Sequence, residues 1–251
     1  MINNFIYDKV INSPGYSVDL KLNLNELNMF RDAVSKQYIE LLKKINPNFY
    51  KNKEDDLIQN YHNLKDRIDH AKIIPKINRC LPMDFVDNFK SMQIYKNLVS
   101  IFGSFKISGI IADNQTFPNH EEIYWRLVRP NIAEDVGPLH ADKWFHEIDH
   151  NHNKVLGLNT YTIKIWIPLF SEPGKNGLLV VPDSNSMILN YKTSLRNSSL
   201  KPELIDKVES TLVKSEPGNL IIFNENLVHG GAINLGNFTR VSCEITMVFE
   251  R

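Results

Sequence analysis

The stretch Gly137-Pro-Leu-His-Ala-Asp-Lys-Trp-Phe145 sets His140 and Asp142 two residues apart, after a turn signal and before two large aromatics. Imidazole and carboxylate both donate to divalent metals. Side chains at i and i+2 of an extended chain share a face with Cα atoms about 6.5–7 Å apart, so the pair can converge on one ion. An H-x-D pair alone is a weak signal, since His120-Glu121-Glu122 has a similar form and strand-end hydrogen bonding explains most such pairs. The third donor lies far downstream. After the apolar run Gly218–Phe223 and a tight turn comes Leu227-Val228-His229-Gly230-Gly231, and glycines beside a histidine allow close backbone approach. Two imidazoles and one carboxylate form the facial donor set that suits iron(II) and leaves coordination positions open. His140, Asp142 and His229 have that ligand count.

A second constellation follows eleven positions after His229, in Arg240-Val241-Ser242. On a strand Arg240 and Ser242 share one face, and Val241, Cys243 and Ile245 the other. A guanidinium is the best bidentate partner for a carboxylate, and a neighbouring hydroxyl adds a donor, an arrangement that suits the distal carboxylate of 2-oxoglutarate. In Thr160–Phe170 the isoleucines 163, 165 and 167 share a face with Tyr161, which leaves Thr162, Lys164 and Trp166 for the opposite, pocket-lining face. Arg126 and Arg129 have opposite parity on the segment 122–129, so at most one of them faces a cavity; structural ion pairing is the commoner use of such residues. A rival metal motif is His146-Glu-Ile-Asp-His150, the H-E-x-x-H spacing of zinc peptidases. Asp149 within it and Asn151-His152-Asn153 after it oppose the long apolar helix that such a site needs.

The elements that must position these residues change character along the chain. From Asn23, Leu27, Phe30, Val34, Tyr38, Leu41 and Leu42 recur at helical spacing behind an asparagine cap and an early Glu26. Segments 54–70 and 84–101 repeat the helical pattern. Beyond Gly103 the period falls to two, with β-type runs at 105–112, 122–129, 160–170, 177–182, 218–223 and 238–249. Many short strands indicate a sandwich or barrel. Two long connectors, 143–159 and 184–216, are expected to be functional loops, the second with a short helix in Pro202–Val208. A single domain is expected over 1–251, with 1–102 as mainly helical support and 103–251 as the β core.

Lysine plus arginine and aspartate plus glutamate both number 29, so the net charge is zero and no bulk field draws nucleic acid or anionic lipid. Two distant cysteines supply neither a disulfide framework nor a zinc knuckle, and no signal-like or eighteen-residue apolar run occurs. A cytoplasmic protein with a small-molecule substrate, and no nucleic-acid or membrane partner, is expected.

The motifs Leu-His-Ala-Asp (139–142), Ile-Lys-Ile-Trp-Ile-Pro-Leu (163–169), Asn-Gly-Leu-Leu-Val-Val-Pro-Asp-Ser (176–184), Pro-Gly-Asn-Leu-Ile-Ile-Phe (217–223), His-Gly-Gly-Ala-Ile-Asn (229–234) and Arg-Val-Ser (240–242) resemble the iron(II)- and 2-oxoglutarate-dependent dioxygenases, within them the phytanoyl-CoA dioxygenase-like branch. The resemblance spans roughly 121–249. It implies a mainly β fold, a double-stranded β-helix (jelly roll) buttressed by N-terminal helices. It implies that His140, Asp142 and His229 hold iron(II), that Arg240 and Ser242 hold 2-oxoglutarate, and that Trp166 walls the cosubstrate pocket, on the face that strand parity also gives to Lys164 and Thr162. O2 is then the oxidant, and succinate and carbon dioxide are co-products. Asp142 fills the position that related halogenases leave open for chloride, which favours hydroxylation; desaturation and ring closure begin with the same hydrogen abstraction. Pro182-Asp183-Ser184-Asn185 stands where the branch usually has Pro-Gly-Ser-His. Asn185, Trp144 and Arg126 are the substrate candidates. The Asn-, His- and Asp-rich segment 143–159 points to a small polar metabolite of amino acid, sugar or phosphonate type. A cupin-like metal- or sugar-binding protein would keep the three metal donors but has no use for Arg240 and Ser242.

Overall fold

The computed structural model describes residues 2–46, 58–64, 67–73, 75–113, 120–148, 156–157, 159–196 and 199–251. Its elements are, in chain order, α1 (Ile2–Ile11), β1 (Tyr16–Lys21), α2 (Leu24–Ile45), α3 (Met83–Ser91), α4 (Gln93–Phe102), β2 (Lys106–Ile107), α5 (Ile110–Asp113), β3 (Ile123–Val128), α6 (Asp142–Ile148), β4 (Thr160–Phe170), β5 (Leu178–Val180), β6 (Tyr191–Arg196), β7 (Ser199–Leu204), β8 (Thr211–Leu212), β9 (Asn219–Asn224), β10 (His229–Gly231) and β11 (Arg240–Glu250). Short 3-10 turns at Ile58–Leu64 and Lys76–Arg79 link the helical part to the sheet.

Among the described residues the main sheet is antiparallel in the order β1-β9-β4-β11, with β3 and β2 on successive lengths of the free edge of β11. β4 and β11 pair from Thr160 opposite Glu250 to Phe170 opposite Val241, with one irregularity where Pro168, which has no N–H, meets Ser242. The alternation of these two strands divides the molecule. Ile163, Ile165, Ile167, Val241, Cys243, Ile245 and Met247 point to one face, where α2, α3 and α4 bury Phe30, Val34, Tyr38, Phe85, Phe89 and Leu98 against them. Trp166, Ile221 and Phe223 point to the other, where Leu178 and Val180 of the small β10-β5-β8 sheet pack on them. The site lies on this second face.

Helix α2 starts as its sequence predicts. The Asn23 side chain accepts from the Glu26 N–H at 2.9 Å and Glu26 accepts from the Asn23 N–H at 3.0 Å, a reciprocal cap. The other oxygen of Glu26 accepts from the Ile94 N–H at 3.0 Å, which ties the start of α4 to the start of α2.

Several expected elements differ. The helix expected over 84–101 is broken at Met92, whose extended backbone (ψ 154°) ends α3 and opens α4; the bond from Ile94 to Glu26 replaces one that a continuous helix would make internally. The N-terminal region, expected to be mainly helical, contributes β1 to the main sheet against β9. The run 105–112 is a strand only at Lys106–Ile107 and turns into α5. Of 54–70, residues 54–57 and 65–66 lie outside the described residues, and Ile58–Leu64 is a 3-10 turn. The connector 143–159 begins with α6, where an acidic residue in the first turn complements the helix dipole. The helix expected in Pro202–Val208 is largely replaced by β7, which pairs with β6 from Ser199 to Leu204; Pro202 fits because neither strand belongs to a larger sheet.

Candidate active site

His140 and His229 sit opposite each other in an isolated antiparallel bridge, exchanging backbone hydrogen bonds of 2.9 and 2.8 Å. Their ring centroids are 4.6 Å apart. Asp142, the first residue of α6, presents Oδ1 at 3.9 Å from Nε2 of each imidazole. One ligand atom from each of the three lies within 4.8 Å of the others. The sequence anticipated convergence through strand parity. The chain achieves it by pairing at His140 and then turning into a helix at Asp142.

The tautomers follow from the backbone. Nδ1 of His140 is 2.8 Å from the Pro138 carbonyl and Nδ1 of His229 is 3.0 Å from the Leu227 carbonyl. A carbonyl only accepts, so each Nδ1 carries the proton and each Nε2 turns a lone pair toward Asp142. Burial, with the neighbouring His229 imidazole, pushes His140 down to about 3, so its ring is neutral at physiological pH. Burial works against the Asp142 carboxylate, but Lys164 and the two imidazoles hold it well below the usual range. The Lys164 ammonium lies 3.6 Å from its Oδ2. Phe145 stands edge-on to His140 at 5.3 Å, and Phe223 is tilted against His229 at 4.4 Å; together they fix the two rings.

The glycines after His229 have a visible purpose. A Cβ on Gly230 would lie 3.2 Å from Leu139 Cδ2 and 3.3 Å from the Pro138 carbonyl oxygen, and one on Gly231 would lie 3.5 Å from Arg240 Nη2. The β10 backbone therefore lies against both the segment that carries His140 and the guanidinium.

Arg240 is 2 % exposed. Its Nη1 donates to the Gly177 carbonyl at 2.7 Å, and its guanidinium carbon lies 5.4 Å from the centre of the Trp166 ring. Burial pulls it down to about 9, which leaves it a cation at neutral pH. Its Nε and the Ser242 hydroxyl are both buried without a hydrogen-bond partner, as is Asp142 Oδ2. Buried polar atoms are almost always satisfied, so adjacent orphan donors on one strand face mark a place for an acceptor.

The remaining candidates separate. Thr162 is buried, but its N–H and hydroxyl both donate to Glu225, at 2.7 and 3.1 Å. Arg126 lies beside Ser242 in register and pairs with Glu244 at 3.4 Å, whereas Arg129 forms a bidentate pair with Asp135. Trp144 packs rather than projects, stacked on Tyr191 with ring centres 4.7 Å apart. Asn185 donates to the carbonyls of Ile11 and Asn12 at 3.2 and 2.7 Å, so its amide fastens the end of α1. Trp144 and Asn185 both border a cleft of about 300 Å³ whose lining excludes the three metal-donor candidates. His146 lies on α6, while His150, the other histidine of H-E-x-x-H, lies outside the described residues.

Sequence reasoning missed Glu244 and its surroundings. Tyr124 hydrogen-bonds it, and Arg126, Lys164 and Lys76 hold it down to about 2 against the opposing effect of burial. Alternation along β11 continues from Arg240 through Ser242 to Glu244 and could have placed it on the site face. It also missed Asn234, which is fully buried and donates to Val128 and Phe238 while accepting from Asn176, closing the turn between β10 and β11.

Residues 35–242 match the family described as phytanoyl-CoA dioxygenase, and the chain belongs to that family. It is a non-haem iron, 2-oxoglutarate-dependent oxygenase. Similar solved structures include EvdO2 from Micromonospora carbonacea var. aurantiaca, at 14% identity and a TM-score of 0.60, covering 100% of this chain and 92% of that one. EctD from S. alaskensis, solved with 2-oxoglutarate and 5-hydroxyectoine, is 11% identical with a TM-score of 0.57, covering 98% and 74%. The non-heme alpha ketoglutarate dependent carbocyclase SnoK from nogalamycin biosynthesis is 12% identical with a TM-score of 0.52, covering 98% and 85%. At these identities the likeness shows the fold, the double-stranded β-helix. No curated protein matches the chain. No helix among the described residues is long and apolar enough to cross a membrane.

Proposed function

We propose that the protein hydroxylates a small polar metabolite of amino acid, sugar or phosphonate type, with His140, Asp142 and His229 as the ligands of iron(II). The observation that carries this reading is the convergence of two Nε2 lone pairs to 3.9 Å from one Asp142 oxygen, each imidazole fixed by a carbonyl on its far nitrogen. When iron and 2-oxoglutarate are bound, they supply the power to split O2 and break a C–H bond, with succinate and carbon dioxide as co-products. Arg240 and Ser242 then grip the distal carboxylate of 2-oxoglutarate, which their orphan donors await. Trp166 braces the guanidinium from the side. Lys164 keeps Asp142 ionised and therefore able to ligate. A carboxylate at 142 leaves no vacancy for a halide, which supports hydroxylation.

The test is succinate release from 2-oxoglutarate by the iron-loaded protein, with and without candidate metabolites. Iron-dependent succinate formation that rises with one such metabolite, yielding a product heavier by one oxygen, is the expected result. Absence of succinate under any iron loading would overturn the reading.

A further inference from the structure

Each metal-donor candidate has a chain neighbour in one small apolar cluster. Leu139 and Ala141 flank His140, Ala141 precedes Asp142, and Val228 precedes His229. They pack with Trp144, Val181 and, from the β6–β7 hairpin and its flanks, Leu189, Tyr191, Leu204 and Val208. Among the described residues the hairpin joins no larger sheet. It meets the donor segment through the Leu204 N–H, which donates to the Leu139 carbonyl at 2.8 Å, and through Tyr191.

Helix α6 needs such outside support. It has seven residues, too few to persist on helical hydrogen bonds alone. The carboxylate of its first residue, Asp142, is turned to the two imidazoles and to Lys164. At 3.6 residues per turn, Trp144 and Glu147 share a face and lie on the side away from Asp142. Tyr191 grips both: its ring stacks on Trp144 with centres 4.7 Å apart and planes 17° from parallel, and its hydroxyl donates to Glu147 at 2.6 Å. That bond pushes the phenol up to about 12, so the hydroxyl keeps its proton at neutral pH. The helix is thus held between the metal-donor candidates on one side and one aromatic residue on the other.

We propose that Tyr191 is a positioning residue for the metal site, bracing α6 from the face opposite Asp142, and that hairpin docking and metal binding therefore strengthen each other. The inference rests on the ligand set of the proposed function. A bound metal fixes Asp142 and with it the helix on which Tyr191 stacks. By linkage, the docked hairpin raises metal affinity by the same factor as the metal stabilises docking. Tyr191 acts through Trp144 and Glu147, not on the metal itself.

The experiment titrates the full chain with manganese(II) and reads the free ion by electron paramagnetic resonance, for wild type, Tyr191→Ala and Tyr191→Phe, with the metal-free thermal midpoint of each. Tyr191→Ala is expected to bind manganese about tenfold more weakly, the low end of the effect of losing an outer-shell partner. Tyr191→Phe keeps the stacked ring and loses only the hydroxyl, so its affinity should return to within about threefold of wild type. A lower midpoint in Tyr191→Ala with unchanged manganese affinity marks a merely structural residue and overturns the proposal. Where the alanine variant does not fold, hydrogen exchange of the wild type decides: the β6 and β7 amides should exchange more slowly with manganese bound, and identical exchange overturns the proposal as well. Normal manganese binding by the wild type beside either negative result rejects the role of Tyr191 alone. Absence of binding by the wild type rejects the ligand set, and the coupling with it.

Discussion

Replacing Arg240 by methionine is a sharp test of the cosubstrate pocket. An exposed hydrogen bond to a charged group is worth about 1.5–3 kcal/mol. Arg240, however, is 2 % exposed and backed by Trp166, so the carboxylate it receives is taken out of water. Removing one partner of a buried ion pair costs about 3–5 kcal/mol, because the other charge is left uncompensated. At about 1.4 kcal/mol per tenfold change, 2-oxoglutarate affinity should fall between about 10²-fold and a few thousand-fold. Methionine keeps much of the apolar stem beside Trp166, so the thermal midpoint of the unliganded chain should change little. Calorimetric titration of 2-oxoglutarate into the manganese-loaded protein measures the effect, with metal affinity as an internal control. A loss smaller than tenfold with metal binding intact would refute the placement of the cosubstrate beside Arg240.

Glu244→Gln should remove a pH-dependent part of stability. The folded carboxyl is held at about 2 against an ordinary 4.5, so its contribution is complete above 4.5 and is lost as pH falls toward 2. Denaturant melts from pH 7 to 2 should show the variant about 3 kcal/mol less stable at neutral pH with a flattened acid limb; parallel wild-type and variant curves would contradict this. Gly230→Ala should press a methyl group on the Pro138 carbonyl that orients His140 and weaken metal binding about 10–100-fold, as loss of an outer-shell partner does; unchanged metal affinity would deny that carbonyl its role. Glu26→Ala should lower stability by about 1–3 kcal/mol, since the buried Ile94 N–H loses its acceptor as the α2 cap opens; a thermal shift no larger than that of an exposed Glu→Ala control would show the link between α2 and α4 to be inert.

The legible parts of the chain are those where period and chemistry agree. Up to the irregularity at Pro168 the residues of β4, and along their length those of β11, alternate, so isoleucines facing helices and Trp166, Arg240 and Ser242 facing the site could be read directly. The capping pair Asn23 and Glu26 announced α2. What escaped depends on distant partners. Nothing local in 84–101 reveals that Glu26 claims the Ile94 N–H and so splits a helix. The strand β1 forms because β9 offers it an edge, and β6 and β7 form as a hairpin although Pro202–Val208 reads as helix. Within the site, the triad was legible as three donor types. The fixed tautomers were not, because the carbonyls of Pro138 and Leu227 are aimed by backbone turns. Nor does the sequence reveal that Asn185 fastens the end of α1 or that Trp144 stacks on the Tyr191 ring, because both partners are distant in the chain.

The most direct measurement is an anaerobic iron(II) titration of the wild-type chain and of His229→Ala, read by equilibrium dialysis. The account predicts one tightly held iron per wild-type chain and loss of that iron in the variant, whose circular dichroism is unchanged. Equal iron binding by the two proteins would contradict the meeting of His140, Asp142 and His229 around a single metal.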